Sequence, residues 1–219
     1  MFRISQFMRE LAAAELSGQY PIVQTSRARG PVVIWNLIRR CNLTCKHCYA
    51  LSADHDYPGE LSTQEVVGVM HDLRAYHVPV LILSGGEPLL RPDLFEIAEH
   101  AKGFGFYVGL SSNGTLIDDG AADRIAAQGF DYVGISLDGL RETHDRFRRK
   151  LGAFDASLAA VRALRERGVK VGLRYTMTDM NADAHTNSIS RIFPRLGETG
   201  TSQEIMNLLE SQASHSRSQ

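Results

Sequence analysis

The three cysteines of the chain, Cys41, Cys45 and Cys48, lie within eight residues of one another in the segment RRCNLTCKHCYA. An odd number of thiols does not suit a disulfide framework, and a structural zinc site needs a fourth ligand. Three thiolates spaced C-x3-C-x2-C can instead bind three irons of a [4Fe–4S] cluster and leave the fourth iron open to a small molecule. A zinc site completed by His47 or His55 is the alternative that this segment leaves open.

Composition excludes several classes of function. The 219 residues can bury the core of one domain, and 43% hydrophobic with 22% charged residues is typical of a soluble globular protein. A net charge of −1 provides no basic surface for nucleic acid or an anionic membrane. No apolar run approaches the ~20 residues that cross a membrane. The amphipathic start lacks the features of a signal peptide, and clustered cysteines without an export signal favour the reducing cytoplasm. We expect a cytoplasmic protein that binds neither nucleic acid nor membrane.

Apolar, β-branched runs alternate with helical patterns along the chain. The predicted strands are residues 31–38, 78–86, 107–114, 131–139 and 169–178, and the predicted helices are residues 62–77, 91–105, 122–128 and 153–168. This alternation indicates right-handed βαβ crossovers and a parallel sheet. The predicted fold class is therefore α/β, an open sheet or a partial (β/α) barrel, with function at the carboxyl ends of the strands.

Four polar turns fall at that edge of the predicted sheet. The cysteine segment follows the first strand, and the turns SGGEP, SSNGT and SLDG follow the second, third and fourth. Their coincidence at one edge predicts a single site. Asp138 is interpreted as a turn residue, and Arg174 on the fifth strand either faces the site or forms an internal ion pair. Arg148 belongs to a basic run, residues 146–150, for which a solvated surface is the alternative interpretation.

The cysteine spacing directly after the first strand, together with the SGGEP turn after the second, resembles the radical S-adenosylmethionine (radical SAM) enzymes. The resemblance implies that the three cysteines bind a [4Fe–4S] cluster whose open iron chelates S-adenosylmethionine (SAM). Reduction then cleaves SAM to a 5′-deoxyadenosyl radical that abstracts hydrogen from the substrate. It also implies a set of SAM-binding residues, namely Gly85 and Gly86 at the methionine end, Glu87 at the ammonium group, Ser112 and Asn113 near the ribose or ammonium group, and Ser136 and Arg148 at the carboxylate.

Two longer segments, MFRISQFMREL and SLDGLRETHDRFRRKLGAFDASLAAVR, are similar to the radical SAM subgroup of heme d1 biosynthesis. This resemblance implies a didecarboxysiroheme tetrapyrrole as substrate, oxidised at its propionate side chains, and a reducing partner such as flavodoxin or ferredoxin. Two alternatives remain open at this point. The chain could be a radical SAM enzyme that modifies peptides or matures sulfatases, or a non-catalytic iron–sulfur binding fragment.

The predicted organisation has three parts. Residues 1–30 form an N-terminal helical extension, residues 31–181 the radical SAM core, and residues 182–219 an atypical tail rich in Ser, Thr, Gln and Asn. The resembling subgroup continues through a sixth strand and a C-terminal region with cysteines for an auxiliary cluster. Because no cysteine follows Cys48 and no sixth strand is recognisable, we expect the chain to be truncated or altered after about residue 181.

Overall fold

The computed structural model describes residues 30–176 and residue 178. The predicted N-terminal helical extension and the predicted tail lie outside the described residues. Among the described residues, no helix has both the length and the apolar character needed to span a membrane.

Five parallel strands form one sheet in the order β1-β2-β3-β4-β5. They are β1 (Val32–Ile38), β2 (Val80–Gly85), β3 (Tyr107–Ser112), β4 (Tyr132–Ser136) and β5 (Val171–Arg174). Each strand pairs with the next one in the chain, as expected when a helix connects consecutive strands. The predicted α/β class with a parallel sheet is confirmed, and the carboxyl ends of all five strands meet at one edge.

Helices separate the strands. They are α1 (Thr63–Ala75), α2 (Leu94–Gly103), α3 (Asp119–Gln128), α4 (Arg141–Arg148) and α5 (Ala153–Glu166), with a 3₁₀ turn at Pro88–Leu90. Ser62 and Glu65 form the capping box that the sequence predicts at the start of α1. Helix α5 turns Leu158, Val161 and Leu164 into the core, as their three-residue spacing in the sequence predicts.

The core lies between the sheet and its helices. Alternate residues of the central strands belong to it, because successive side chains of a strand point to opposite faces. The fully buried members include Leu81, Leu83, Val108, Leu110, Val133 and Ile135. The opposite face of the sheet carries glycines at Gly109, Gly134 and Gly172, where Ile82, Arg174 and Tyr132 lie across the backbone. The packed core therefore holds the strand ends rigidly at the edge where the predicted site lies.

Helix α4 was not predicted, and its sequence RETHDRFR explains why. The segment is almost entirely polar, so it lacks the apolar period that indicates a buried helix. It nevertheless buries His144, Asp145, Phe147 and Arg148. The Asp145 carboxylate accepts hydrogen bonds from the Gly152 and Phe154 amides at the start of α5. The other three side chains contact the turn after β4 or the loop that carries the cysteines, so α4 belongs to the site as much as to the core.

His144 is expected to make stability depend on pH. Burial, with smaller contributions from the charges of Arg148 and His47, lowers its pKa from 6.5 to about 3. The folded state therefore keeps His144 neutral while the unfolded chain takes up a proton below pH 6.5. We expect the free energy of unfolding to fall by about 1.4 kcal/mol per pH unit as the pH drops below this value.

The measurement is urea unfolding between pH 7 and pH 5 for the wild-type protein and His144→Asn. The amide of the variant can still accept the hydrogen bond that Nδ1 accepts from the Asp138 main chain, at 3.0 Å, but does not titrate in this range. The difference in stability between the two proteins should shrink as the pH falls. His100→Asn, at an exposed position of α2, should leave the wild-type slope intact. Parallel curves for wild type and His144→Asn would contradict the prediction.

Candidate active site at the carboxyl edge of the sheet

The three cysteines lie on the cysteine loop, residues 39–61, between β1 and α1. All three are free thiols, with Cys41 buried and Cys45 and Cys48 half-buried. Main-chain hydrogen bonds from Cys41 to Ala53 (3.1 Å) and from Lys46 to Phe147 of α4 (2.9 Å) hold the loop in place. Main-chain hydrogen bonds therefore stabilise the loop internally and attach it to helix α4.

The three thiols differ in pKa because their surroundings differ. Burial raises the pKa of Cys41 to about 11. Burial also raises the pKa of Cys45, although the nearby Arg148 opposes this. Burial likewise acts to raise the pKa of Cys48, but hydrogen bonds from Ser52 and the following loop outweigh it, so the pKa of Cys48 is lowered. Since thiolates are the metal-binding form, Cys41 would lose its proton only as it binds a cation.

The glycine turn, residues 84–88 (SGGEP), packs against the start of the cysteine loop. Gly86 donates its main-chain N–H to the Ile38 carbonyl at 2.6 Å, and Glu87 donates to Arg40 at 2.9 Å. A Cβ on Gly86 would collide with the carbonyl groups of Arg39 and Arg40. The close approach that the two glycines permit in this structure is thus to the backbone that leads into Cys41.

Glu87 is fully buried and links the glycine turn to the end of β3. Its Oε1 accepts hydrogen bonds from the Ser112 hydroxyl (2.9 Å) and the Leu89 amide (3.2 Å), and its Oε2 accepts one from the Asn113 amide (2.8 Å). Burial raises the pKa of Glu87 to about 7, although all three hydrogen bonds favour the charged form. The sequence indicated a cofactor contact here and missed this second, structural task.

Asn113 connects the end of β3 to the cysteine loop. Its Nδ2 lies 2.9 Å from Asn42 Oδ1 and 3.8 Å from Cys41 Sγ. Asn42 in turn donates to the Thr115 hydroxyl at 2.9 Å. Four predicted residues from three polar turns, Cys41, Glu87, Ser112 and Asn113, are therefore brought together as one hydrogen-bonded group.

A second group lies around Cys45. Arg148 Nη1 lies 3.6 Å from Cys45 Sγ, and Arg148 Nη2 lies 2.5 Å from Asp138 Oδ2. Arg148 is buried, so the solvated-surface interpretation of this residue is wrong. Asp138 is fully buried and is more than a turn residue. The sequence signal that could have found it is an acidic residue two positions beyond the end of a parallel strand.

Two predicted residues stand apart from these groups. Ser136 ends β4 and pairs in the sheet with Arg174 of β5, and within residues 30–176 and 178 no hydrogen bond joins its side chain to either group. Arg174 faces the glycine-lined side of the sheet and contacts the Ser111 hydroxyl. Among the described residues no carboxylate lies within ion-pair distance of Arg174, so the internal ion pair considered for it is not formed there.

The histidines considered as zinc ligands have other neighbours. His47 Nε2 lies 3.4 Å from Asp138 Oδ2, and its ring lies 4.9 Å from that of Phe147. The His55 ring lies 4.2 Å from that of Tyr57. Within the described part of the chain, no three His, Cys, Asp or Glu side chains converge around a single point.

An iron–sulfur cluster does not require such convergence of its ligands, because each thiolate binds a different iron. Three free thiols, together with a buried Arg148 Nε that has no hydrogen-bond acceptor among the described residues, fit such a group and an anionic ligand beside it.

The fold and the site define an α/β protein with three free thiols at the carboxyl ends of its parallel strands. The chain belongs to the radical SAM superfamily, whose family model matches residues 35–188. Members of this superfamily are enzymes that use SAM and an iron–sulfur cluster.

The similar curated proteins include two with a high identity. Pre-heme d1 synthase of Dinoroseobacter shibae is 50% identical over 184 residues, which are 83% of this chain and 44% of that protein. Fe-coproporphyrin III synthase of Methanosarcina barkeri is 46% identical over 177 residues, 81% of this chain and 43% of that protein. The chain thus spans less than half the length of these relatives.

Among solved structures, anSMEcpe with bound AdoMet matches with a TM-score of 0.61 and 24% identity, covering 75% of this chain and 48% of that one. At this identity the likeness shows the fold alone. It supports the assignment of the five parallel strands to a partial radical SAM barrel.

Proposed function

We propose that this chain is the SAM-cleaving part of a radical SAM enzyme of tetrapyrrole biosynthesis, with a [4Fe–4S] cluster on Cys41, Cys45 and Cys48. The observation that carries the proposal is the set of three free thiols on a loop fastened to the turns after β2 and β3 and to α4. The bound cofactors would supply the reductive cleavage of SAM to a 5′-deoxyadenosyl radical. The protein would supply orientation, the cluster's surroundings and exclusion of water.

Within the proposal, each residue predicted from the sequence has a role in binding SAM. Glu87, with Ser112 and Asn113 bound to its carboxylate, offers negative charge to the ammonium group. Arg148 offers its Nε, which has no hydrogen-bond acceptor among the described residues, and Ser136 offers its hydroxyl, to the carboxylate. Gly85 and Gly86, whose backbone packs against residues 38–40, would lie at the methionine end of SAM.

The proposed substrate is a tetrapyrrole, with didecarboxysiroheme and its propionate side chains as the specific candidate. Support comes from the two relatives whose names concern pre-heme d1 and Fe-coproporphyrin III, at 50% and 46% identity. Arg174, on the glycine-lined face of the sheet, offers a cation to a substrate carboxylate. The proposed setting is the cytoplasm, with a flavodoxin or ferredoxin as electron donor.

The first test is anaerobic reconstitution of the chain with iron and sulfide, followed by dithionite, SAM and quantification of 5′-deoxyadenosine. We expect product from the wild-type chain and background amounts from Cys48→Ala, because a cube held by two thiolates lacks its third protein ligand. His55→Ala, at an exposed position of the same loop, is the matched control and should retain a brown, cluster-loaded protein. A Cys41→Ala/Cys45→Ala/Cys48→Ala triple variant that still forms product would contradict the proposal, and so would a loaded wild-type protein that forms none.

The second test concerns the substrate. Titration of the protein with an iron tetrapyrrole that carries propionate groups should shift its visible absorption spectrum. Production of 5′-deoxyadenosine without any such shift would retain the radical SAM assignment and contradict the tetrapyrrole assignment, which leaves a peptide substrate as the competing class.

A further inference from the structure

Asp138 is held rigidly in the turn after β4. Its Oδ1 accepts a hydrogen bond from the Thr176 amide at 3.0 Å, just beyond the end of β5. Its own main-chain amide donates to His144 Nδ1 on α4, also at 3.0 Å. The side chain is fully buried. The remaining oxygen, Oδ2, lies 2.5 Å from Arg148 Nη2 and 3.4 Å from His47 Nε2.

Arg148 occupies the last position of α4 and connects this carboxylate to a thiol. One arm of the guanidinium, Nη2, meets Asp138, and the other, Nη1, lies 3.6 Å from Cys45 Sγ. A planar guanidinium has its donors in a fixed fork, so fixing one arm determines the direction of the other. The orientation of the group at Cys45 thus depends on Asp138, a residue that does not itself touch the thiol.

We propose that Asp138 is a positioning residue that fixes the Arg148 guanidinium against Cys45 and thereby raises the reduction potential of the cluster. A cation and N–H donor beside a cysteine ligand stabilises the additional negative charge of the reduced cluster. The alternative is that the pair only stabilises the fold. The proposal rests on the cluster proposed for the three cysteines, and the experiments below separate its failure from failure of that assignment.

The first experiment is a double-variant cycle on the reconstituted full chain, with the cluster potential measured by EPR-monitored redox titration. Arg148→Gln should shift the potential downwards, because it removes both the charge and the donor. The same substitution in an Asp138→Asn background should produce a much smaller shift, because the guanidinium there is no longer aimed at Cys45. Equal shifts in the two backgrounds, or no shift for Arg148→Gln, would overturn the proposal.

Two further variants keep the test decisive if Asp138→Asn folds poorly. Arg148→Lys retains the charge but has no fork to reach Asp138 and Cys45 together, so it should fail to restore the wild-type potential. A wild-type potential in Arg148→Lys would overturn the positioning role. Arg146→Gln removes the same charge from an exposed position of the same helix and should leave the potential unchanged.

The second experiment uses the full chain without a cluster. If Asp138 holds the Arg148 guanidinium in place, ¹⁵N-detected NMR of the wild-type protein should show two separate Nη signals that exchange slowly. In Asp138→Asn these two signals should merge. The melting temperature of both proteins is measured in parallel to detect any loss of folding. Merged signals in the wild-type protein would overturn the proposal whether or not a cluster forms. Separate signals in a chain that never loads iron would instead retain the pinned fork and contradict the proposed cluster.

Discussion

Replacement of Glu87 by Ala is expected to lower the free energy of unfolding by about 3 kcal/mol or more at pH 5, because it leaves three buried donors without their acceptor. These donors are the Ser112 hydroxyl and the amides of Asn113 and Leu89. A loss of this size is a large part of the total stability of a typical domain. The stability of Glu87→Gln should lie between those of the wild-type protein and Glu87→Ala, since the amide keeps one accepting oxygen but its NH₂ group cannot accept a hydrogen bond.

The effect of Glu87→Ala should also depend on pH in a defined direction. Burial raises the pKa of Glu87 from 4.5 to about 7, so the unfolded chain ionises first as the pH rises through this interval. The difference in free energy of unfolding between the wild-type protein and Glu87→Ala is therefore greatest below pH 4.5, and it decreases progressively up to about pH 7.

Urea unfolding of the two proteins between pH 5 and pH 8 measures this advantage. Glu99→Ala, at an exposed position of α2, is the control and should change stability by no more than about 0.5 kcal/mol. The prediction fails if Glu87→Ala is no more destabilising at pH 5 than this surface substitution.

Replacement of Gly86 by Ala is expected to destabilise the protein by about 3 kcal/mol and to disturb the cysteine loop. The new Cβ would meet the main-chain carbonyls of Arg39 and Arg40. Backbone atoms cannot rotate away as a flexible side chain can, so either the glycine turn or the segment leading to Cys41 must move. We therefore also expect a lower yield of iron bound per chain after anaerobic reconstitution.

Gly68→Ala is the matched control for this prediction. Gly68 lies on the exposed side of α1, where a Cβ meets no atom within 4 Å, and alanine is the better helix former by roughly 0.5–1 kcal/mol. The two substitutions add the same methyl group and should change the midpoint of urea unfolding in opposite directions. An unchanged or raised midpoint for Gly86→Ala would show that the close contact at Gly86 is not a constraint.

Local spacing made much of this protein predictable from its sequence. The alternation of β-branched runs with helical patterns specifies the parallel sheet, because each connection between parallel strands requires a crossover. The capping box of Ser62 and Glu65 and the inward face of α5 depend on residues a few positions apart. The three cysteines belong to the same category, since their number and spacing lie within one short loop.

Other features depend on residues that are far apart in the chain, and only the tertiary structure decided them. Helix α4 has no apolar period of its own, and burial of Phe147 and His144 compensates for its polar sequence. Cys45 and Arg148 are 103 positions apart, and no local pattern relates them. The sequence by itself determined which residues can do chemistry and at which edge of the sheet they lie. The folded chain decided which of them touch, because those contacts depend on how the turns after β2, β3 and β4 pack against the cysteine loop.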